Sequence, residues 1–174
     1  MRHLFLFDAA WDLPAFAFAR GGIGKAVAGG WTLSTITQLR SGLPINLLTG
    51  RDNRGDAFPS TQRPDYRGGP AYAAQQSILQ WFNPAAFANP VAGTFGNVGR
   101  NTLSGPIFSG VNISLAKSWQ IHEQHRIQFR AEAFNIQNRA NFSNPDANIN
   151  SPTFGRITAA NLPRQLQFSV RYGY

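Results

Sequence analysis

The stretch that most constrains the fold is Arg164 to Tyr174, Arg-Gln-Leu-Gln-Phe-Ser-Val-Arg-Tyr-Gly-Tyr. Leu166, Phe168, Val170, Tyr172 and Tyr174 share one parity, and Gln165, Gln167, Ser169, Arg171 and Gly173 the other. Successive side chains of a strand point to opposite faces, so this is a strand with one apolar and one polar face. Its length suits a tilted strand crossing a bilayer, which needs about 9–11 residues. The apolar face would then meet lipid and the polar face a wet lumen. Tyr172 and Tyr174 would sit at the membrane–water boundary, where an apolar ring with a polar tip is favoured.

Composition permits this. The 174 residues suffice for one domain. Mean hydropathy is −0.25, but alternating strands dilute their apolar signal with polar partners. No run of eighteen apolar residues exists, which excludes a transmembrane helix. Cysteine is absent, which removes disulfides, thiolate metal sites and cysteine nucleophiles. The net charge of +8 is almost all arginine, since Lys25 and Lys117 are the only lysines. These arginines are spread singly, not gathered into the dense patch of a nucleic-acid binder.

Further alternating stretches give an all-β reading. His3–Leu13 is the first strand, ended by Pro14, which cannot donate to a ladder. Ala15–Gly30, with glycines at 21, 22, 24, 29 and 30, reads as a turn region. The second strand is placed at 31–48, with Gly42 and Pro44 marking a bulge or exit. Residues 50–109 form a long irregular loop, and 111–121 a third strand whose apolar face is interrupted by Lys117, which would snorkel near an interface. His122–His125 is a tight turn. The fourth strand spans 126–138, its phase flipping at Phe134 and Ile136 as at a bulge. A second long loop covers 139–163, and 164–174 closes. The architecture expected is an antiparallel up-and-down sheet of about five long strands, a segment of a large transmembrane β-barrel, in one domain over 1–174. If the last strand ends on the periplasmic side, counting back puts both long loops outside and both shorter connections inside, as bacterial barrels require.

The start is also informative. The apolar stretch Leu4–Phe7 is broken at Asp8 and Asp12, too short and charged for a secretory leader. An exported protein is then expected to be a fragment, or to be read from a start inside a longer gene.

Several motifs invite chemistry. His122-Glu123-Gln124-His125 has its histidines three apart, whereas the zinc motif needs four on a helix. Gly21–Ala26 lacks the first glycine and the hydroxyl of a phosphate loop. Asp52, Asn53 and Asp56 offer hard oxygens for calcium but not at EF-hand spacing, and a solvated loop is the plainer reading. No nucleophile, base and acid converge, so no catalytic residue, metal ligand or cofactor is assigned and no enzyme activity is expected. The aromatics Trp81, Phe82, Phe87 and Phe95 are the ligand-contact candidates of the long loop, able to stack on sugars or peptides; the alternative is that they pack the loop onto itself. Gln128, Arg130 and Glu132 share the polar, lumen-facing side of the fourth strand, where charge is tolerated.

Together, an ordered series of motifs resembles the carboxy-terminal part of TonB-dependent outer-membrane receptors of the Oar-like kind common in acidobacterial genomes. The series is Gly30-Trp31, Arg40-Ser41-Gly42-Leu43-Pro44, Trp81-Phe82-Asn83-Pro84-Ala85-Ala86-Phe87 and Gly93 to Asn101. It continues with Phe129 to Asn135, Asn141 to Pro145, Phe154-Gly155-Arg156-Ile157 and Pro163 to Phe168. The resemblance implies a plugged barrel of about 22 strands in the outer membrane of a Gram-negative bacterium. Its partners would be lipid, the remaining barrel and plug, and the TonB energy-coupling system reached through an amino-terminal part. It also implies that Phe168, Tyr172 and Tyr174 act as the signal read by the barrel-assembly machinery. Two rivals remain at this point. A soluble antiparallel binding module predicts that 166–174 and 111–121 pack on an internal core. An RNA-binding β domain predicts aromatics and arginines on one face, whereas Phe129 and Arg130, like Tyr172 and Arg171, fall on opposite faces.

Overall fold

The computed structural model describes residues 2–14 and 22–174. In chain order the elements are β1 (Leu4–Leu13), α1 (Gly22–Ala28), β2 (Trp31–Arg40), β3 (Pro44–Ile45), β4 (Asp65–Tyr66), β5 (Phe87–Ala88), β6 (Leu103–Ser104), β7 (Phe108–His122), β8 (His125–Phe134) and β9 (Gln165–Gly173). Two units result. One comprises Leu4–Arg40, Ser109–Ala140 and Leu162–Tyr174; the other comprises Met1–His3, Ser41–Phe108 and Asn141–Asn161.

The first unit is a five-stranded antiparallel sheet in the order β1-β2-β7-β8-β9. Each long strand pairs with its neighbour in sequence, the up-and-down order expected. β1 pairs from Leu4↔Arg40 to Leu13↔Trp31, and β8 with β9 from Arg126↔Gly173 to Phe134↔Gln165. The β7–β8 hairpin turns on Glu123-Gln124, with a register shift between Gln120 and His122. β1 and β9 are edges, each with one partner among the described strands.

Alternation in sequence becomes two chemically distinct faces in space. Leu166, Phe168, Val170 and Tyr172 lie opposite Ala133, Ala131, Phe129 and Ile127. Those residues lie opposite Ile113, Leu115, Lys117 and Trp119. On the other face Gln128, Arg130 and Glu132 oppose Arg171, Ser169 and Gln167. The apolar face is uncovered along β9, where Leu166, Phe168, Val170 and Tyr172 are all exposed. A soluble sheet would bury this face, because each such side chain removed from water contributes about 1.5–3 kcal/mol.

The second unit holds the hydrophobic core, formed by Ile45, Leu47, Phe82, Ala86, Phe87, Val98 and Leu103. Ala147, Ile149 and Phe154 pack against it from residues a hundred positions downstream of Leu47 and its neighbours. Short ladders shape it: β3 with β6, β4 with β5, and a parallel bridge Leu48↔Asn148. The two stretches read as irregular loops are therefore one folded body.

Four boundaries differ from expectation. The second strand stops at Arg40, not 48, because Pro44-Ile45 pair with Leu103-Ser104 instead of continuing beside β1. The third begins at Phe108. The fourth ends at Phe134 without a bulge in its ladder to β9; Asn135 and Asn138, both at φ 50°, turn the chain away and produce the change of phase. Within the expected glycine-rich turn, Gly22–Ala28 is helical; the part at 15–21 lies outside the described residues.

Candidate functional site

The polar face of the sheet brings Gln128, Arg130 and Glu132 into one row. Arg130 and Glu132 approach to 3.7 Å, a solvent-accessible pair worth at most about 1 kcal/mol. The row provides a wettable surface rather than a catalytic cluster.

The apolar face of β7 carries one charge among its described residues, Lys117, and it is 4% exposed. It does not snorkel. Its ammonium donates to the carbonyls of Val27, at 3.1 Å, and Gly29, where α1 ends. The rings of Trp31 and Trp119 flank it at 5.6 and 5.3 Å. Trp31 Nε1 also donates to Val27 and Trp119 Nε1 to Ala26, at 2.9 and 2.8 Å. A helix ends with carbonyls that lack partners and a partial negative charge, so a cation with two indole N–H groups satisfies it. Sequence alone showed Lys117 as an interruption; the Trp residues of the same face were the signal of its partners.

In the loop unit the four aromatic candidates separate. Phe82 is fully buried at 0% exposure, stacked on Phe154 at 5.8 Å and beside Tyr72 at 6.0 Å. Phe87 is buried edge-on to Phe154 at 6.2 Å. Trp81 is half-buried, its indole N–H donating to the Ser104 carbonyl at 3.0 Å. These three pack the loop onto itself, as the alternative reading has it. Phe95 is 76% exposed and has the Arg54 guanidinium 4.5 Å from its ring centroid.

Cavities open among the described residues of this unit. One, of about 550 Å³, is lined by Tyr66, Tyr72, Phe87, Asn97, Thr102 and apolar neighbours. Tyr72 Oη accepts from the Ser104 amide there, and Tyr66 Oη donates to Gly69. Another, of about 160 Å³, includes Phe95 and three arginines.

Asp52 closes the turn beside it. Its carboxylate accepts from the amides of Gly55, Asp56 and Ala57 and from Gln62 Nε2 at 2.7 Å. The Gln62 bond first, then these amides, hold its pKa down at about 2. N–H groups turned onto both oxygens present positive poles, so the calcium alternative for Asp52, Asn53 and Asp56 is displaced by a self-contained turn. Asp56 pairs with Arg54 and accepts from Gln62. Asp146 behaves similarly: burial pushes its pKa up, but bonds from Ser151, Asn148 and Thr153 outweigh this and hold it below the ordinary value.

Among the described residues no group of three histidines or acidic residues could hold a metal. His122 and His125 flank the two-residue hairpin turn, their rings stacked at 6.4 Å, rather than lying on a helix face. The phosphate-loop candidate falls on α1, with Gly21 and the Lys25 side chain outside the described residues.

Comparison with protein families decides what this two-faced sheet is. The family described as "Outer membrane beta barrel domain" matches residues 1–167. The chain belongs to this family. No curated protein and no solved structure gives a match. Membership in the outer membrane beta barrel domain family places the protein in the outer membrane of a Gram-negative bacterium, with β1, β2, β7, β8 and β9 as membrane strands. It gives the bare apolar face of β9 its solvent, since lipid covers what no protein layer covers.

Proposed function

We propose that this chain forms barrel wall and ligand-facing outer loops of a TonB-dependent receptor of the Oar-like type, used for energy-coupled uptake. The observation that carries this reading is the position of the core. The hydrophobic side chains of the buried core belong to the two long connections, while β1 and β9 leave their large apolar side chains exposed. A wall with a folded body built from its longest loops suits a receptor better than a simple pore.

The motifs of the resemblance are also the parts that hold that body together. Trp81-Phe82 and Phe154-Gly155 meet in the core, with the Trp81 amide donating to Gly155 at 2.8 Å. Asn83 caps the short turn at 84–86 by accepting from the Ala85 amide. Gly42 and Gly96 sit where a Cβ would collide with the carbonyls of Gly105 and of Arg63 and Pro64.

The plug, the remaining strands and the TonB-contacting segment belong, in this reading, to sequence upstream. The gene upstream of Met1 tests it. An in-frame continuation encoding a plug, more alternating strands and a signal peptide is expected; a stop codon followed by an unrelated gene would refute the receptor assignment.

A further inference from the structure

The smaller cavity of the loop unit lies between the turn at 51–63 and residues 90–100. Arg54, Arg63 and Arg100 line it with Thr61, Thr94 and Phe95, and no carboxylate is among the lining residues. Nearby acids are already committed: Asp56 pairs with Arg54, and Asp52 faces its own ring of N–H donors. Arg63 is held in place by donating to the Val98 carbonyl at 2.7 Å. Arg54 is held between Asp56 and the Phe95 ring, yet its buried Nε makes no hydrogen bond. Like charges gathered in a cleft repel one another, and that repulsion falls if an anion enters.

We propose that this cavity binds a small oxyanion, the carboxylate or phosphate group of a soluble ligand. Guanidinium forks match the planar carboxylate and the phosphate edge, with two parallel bonds each. The threonine hydroxyls serve as additional donors, and the exposed ring of Phe95 offers a surface for a flat apolar group attached to the anion. The volume of about 160 Å³ admits the charged head of a ligand and little more. As the capture step of uptake, the site rests on the function proposed above; the binding itself does not.

The test uses the full chain folded in detergent micelles and titrated calorimetrically with inorganic phosphate and with benzoate, with benzyl alcohol as the neutral control. Both anions are expected to bind and to compete, and benzyl alcohol to remain silent. Arg100 is exposed, so Arg100→Gln should keep the fold while weakening both anions about tenfold, the effect of losing one charge-assisted contact. Arg100→Lys should fall in between, and Phe95→Ala should weaken benzoate more than phosphate. Absence of anion binding, or wild-type affinity in Arg100→Gln, would overturn the proposal. So would binding of purified lipopolysaccharide where neither free anion binds, which would assign the arginines to a lipid headgroup. Anion binding by a receptor whose uptake proves independent of TonB would remove the transport reading and leave this site standing.

Discussion

Phe82 and Phe95 are thirteen residues apart in one loop, and the structure gives them opposite roles. Phe82 is fully buried between Phe154 and Tyr72, with Ile45, Leu47 and Phe87 in the same cluster. Truncating such a ring loses its transfer energy and leaves a cavity, so Phe82→Ala should destabilise the loop unit by about 3–5 kcal/mol. At about 1.4 kcal/mol per factor of ten, that raises the population of the opened unit by roughly two to three and a half orders of magnitude. Phe95→Ala loses an exposed ring and one cation–π contact, worth about 1 kcal/mol at most. Hydrogen exchange in micelles would read the difference at amides bonded across the core: Trp81 to Gly155, Asn83 to Ala71 and Ile157 to Ile78. Their protection should collapse in Phe82→Ala and hold in Phe95→Ala, with Phe82→Leu between. Equal protection in the two alanine variants would refute the assignment of Phe82 to the core and restore it as a ligand contact.

Other expectations follow from the same geometry. Val170→Arg places a cation on the lipid face and should cost about 2–4 kcal/mol near mid-membrane, whereas Ser169→Arg on the polar face should refold into vesicles as well as wild type; equal urea midpoints would contradict the two-faced reading. Lys117→Ala removes the cation from the end of α1 and should cost about 1–3 kcal/mol, seen as exposure of Trp31 and Trp119 to a fluorescence quencher; unchanged quenching would count against the cap. Asp52 has a folded pKa of about 2, below the ordinary 3.8, so its contribution is present above about pH 4 and is lost as pH falls towards 2. Exchange at the Gly55 and Ala57 amides should accelerate over that interval, and a flat profile would show that the carboxylate does not hold the turn.

The sheet was legible because its signal is local. Parity along Arg164–Tyr174 and Ile127–Ala133 needs no knowledge of distant residues, and the register at Phe129↔Val170 joins faces the sequence already separates. The loop unit was not, because its core joins Leu47, Phe82 and Phe154, which share no periodicity. The aromatics there stand out in the sequence, but exposure distinguishes a contact residue from a core residue, and only the fold sets exposure. The end of the second strand was misplaced for a related reason: Gly42 and Pro44 mark a bulge or an exit equally well, and a partner about sixty positions on, at Leu103-Ser104, captures Pro44-Ile45. The α1 helix was hidden by its glycines, since its carbonyl end is completed by Lys117 and Trp119 some ninety residues later.

The core of the loop unit joins two segments, 41–108 and 141–161, with the β7–β8 hairpin threaded between them in sequence. The earlier segment emerges from synthesis with Phe82 and Leu47 but without Phe154, Ala147 or Ile149, and its Leu48 edge waits for Asn148. Its core therefore stays incomplete until the whole hairpin has been made, and the later segment closes it like a clasp. A chain nicked at Glu123-Gln124 would deliver the two halves of that clasp as separate pieces, able to find each other again only through the contacts they share.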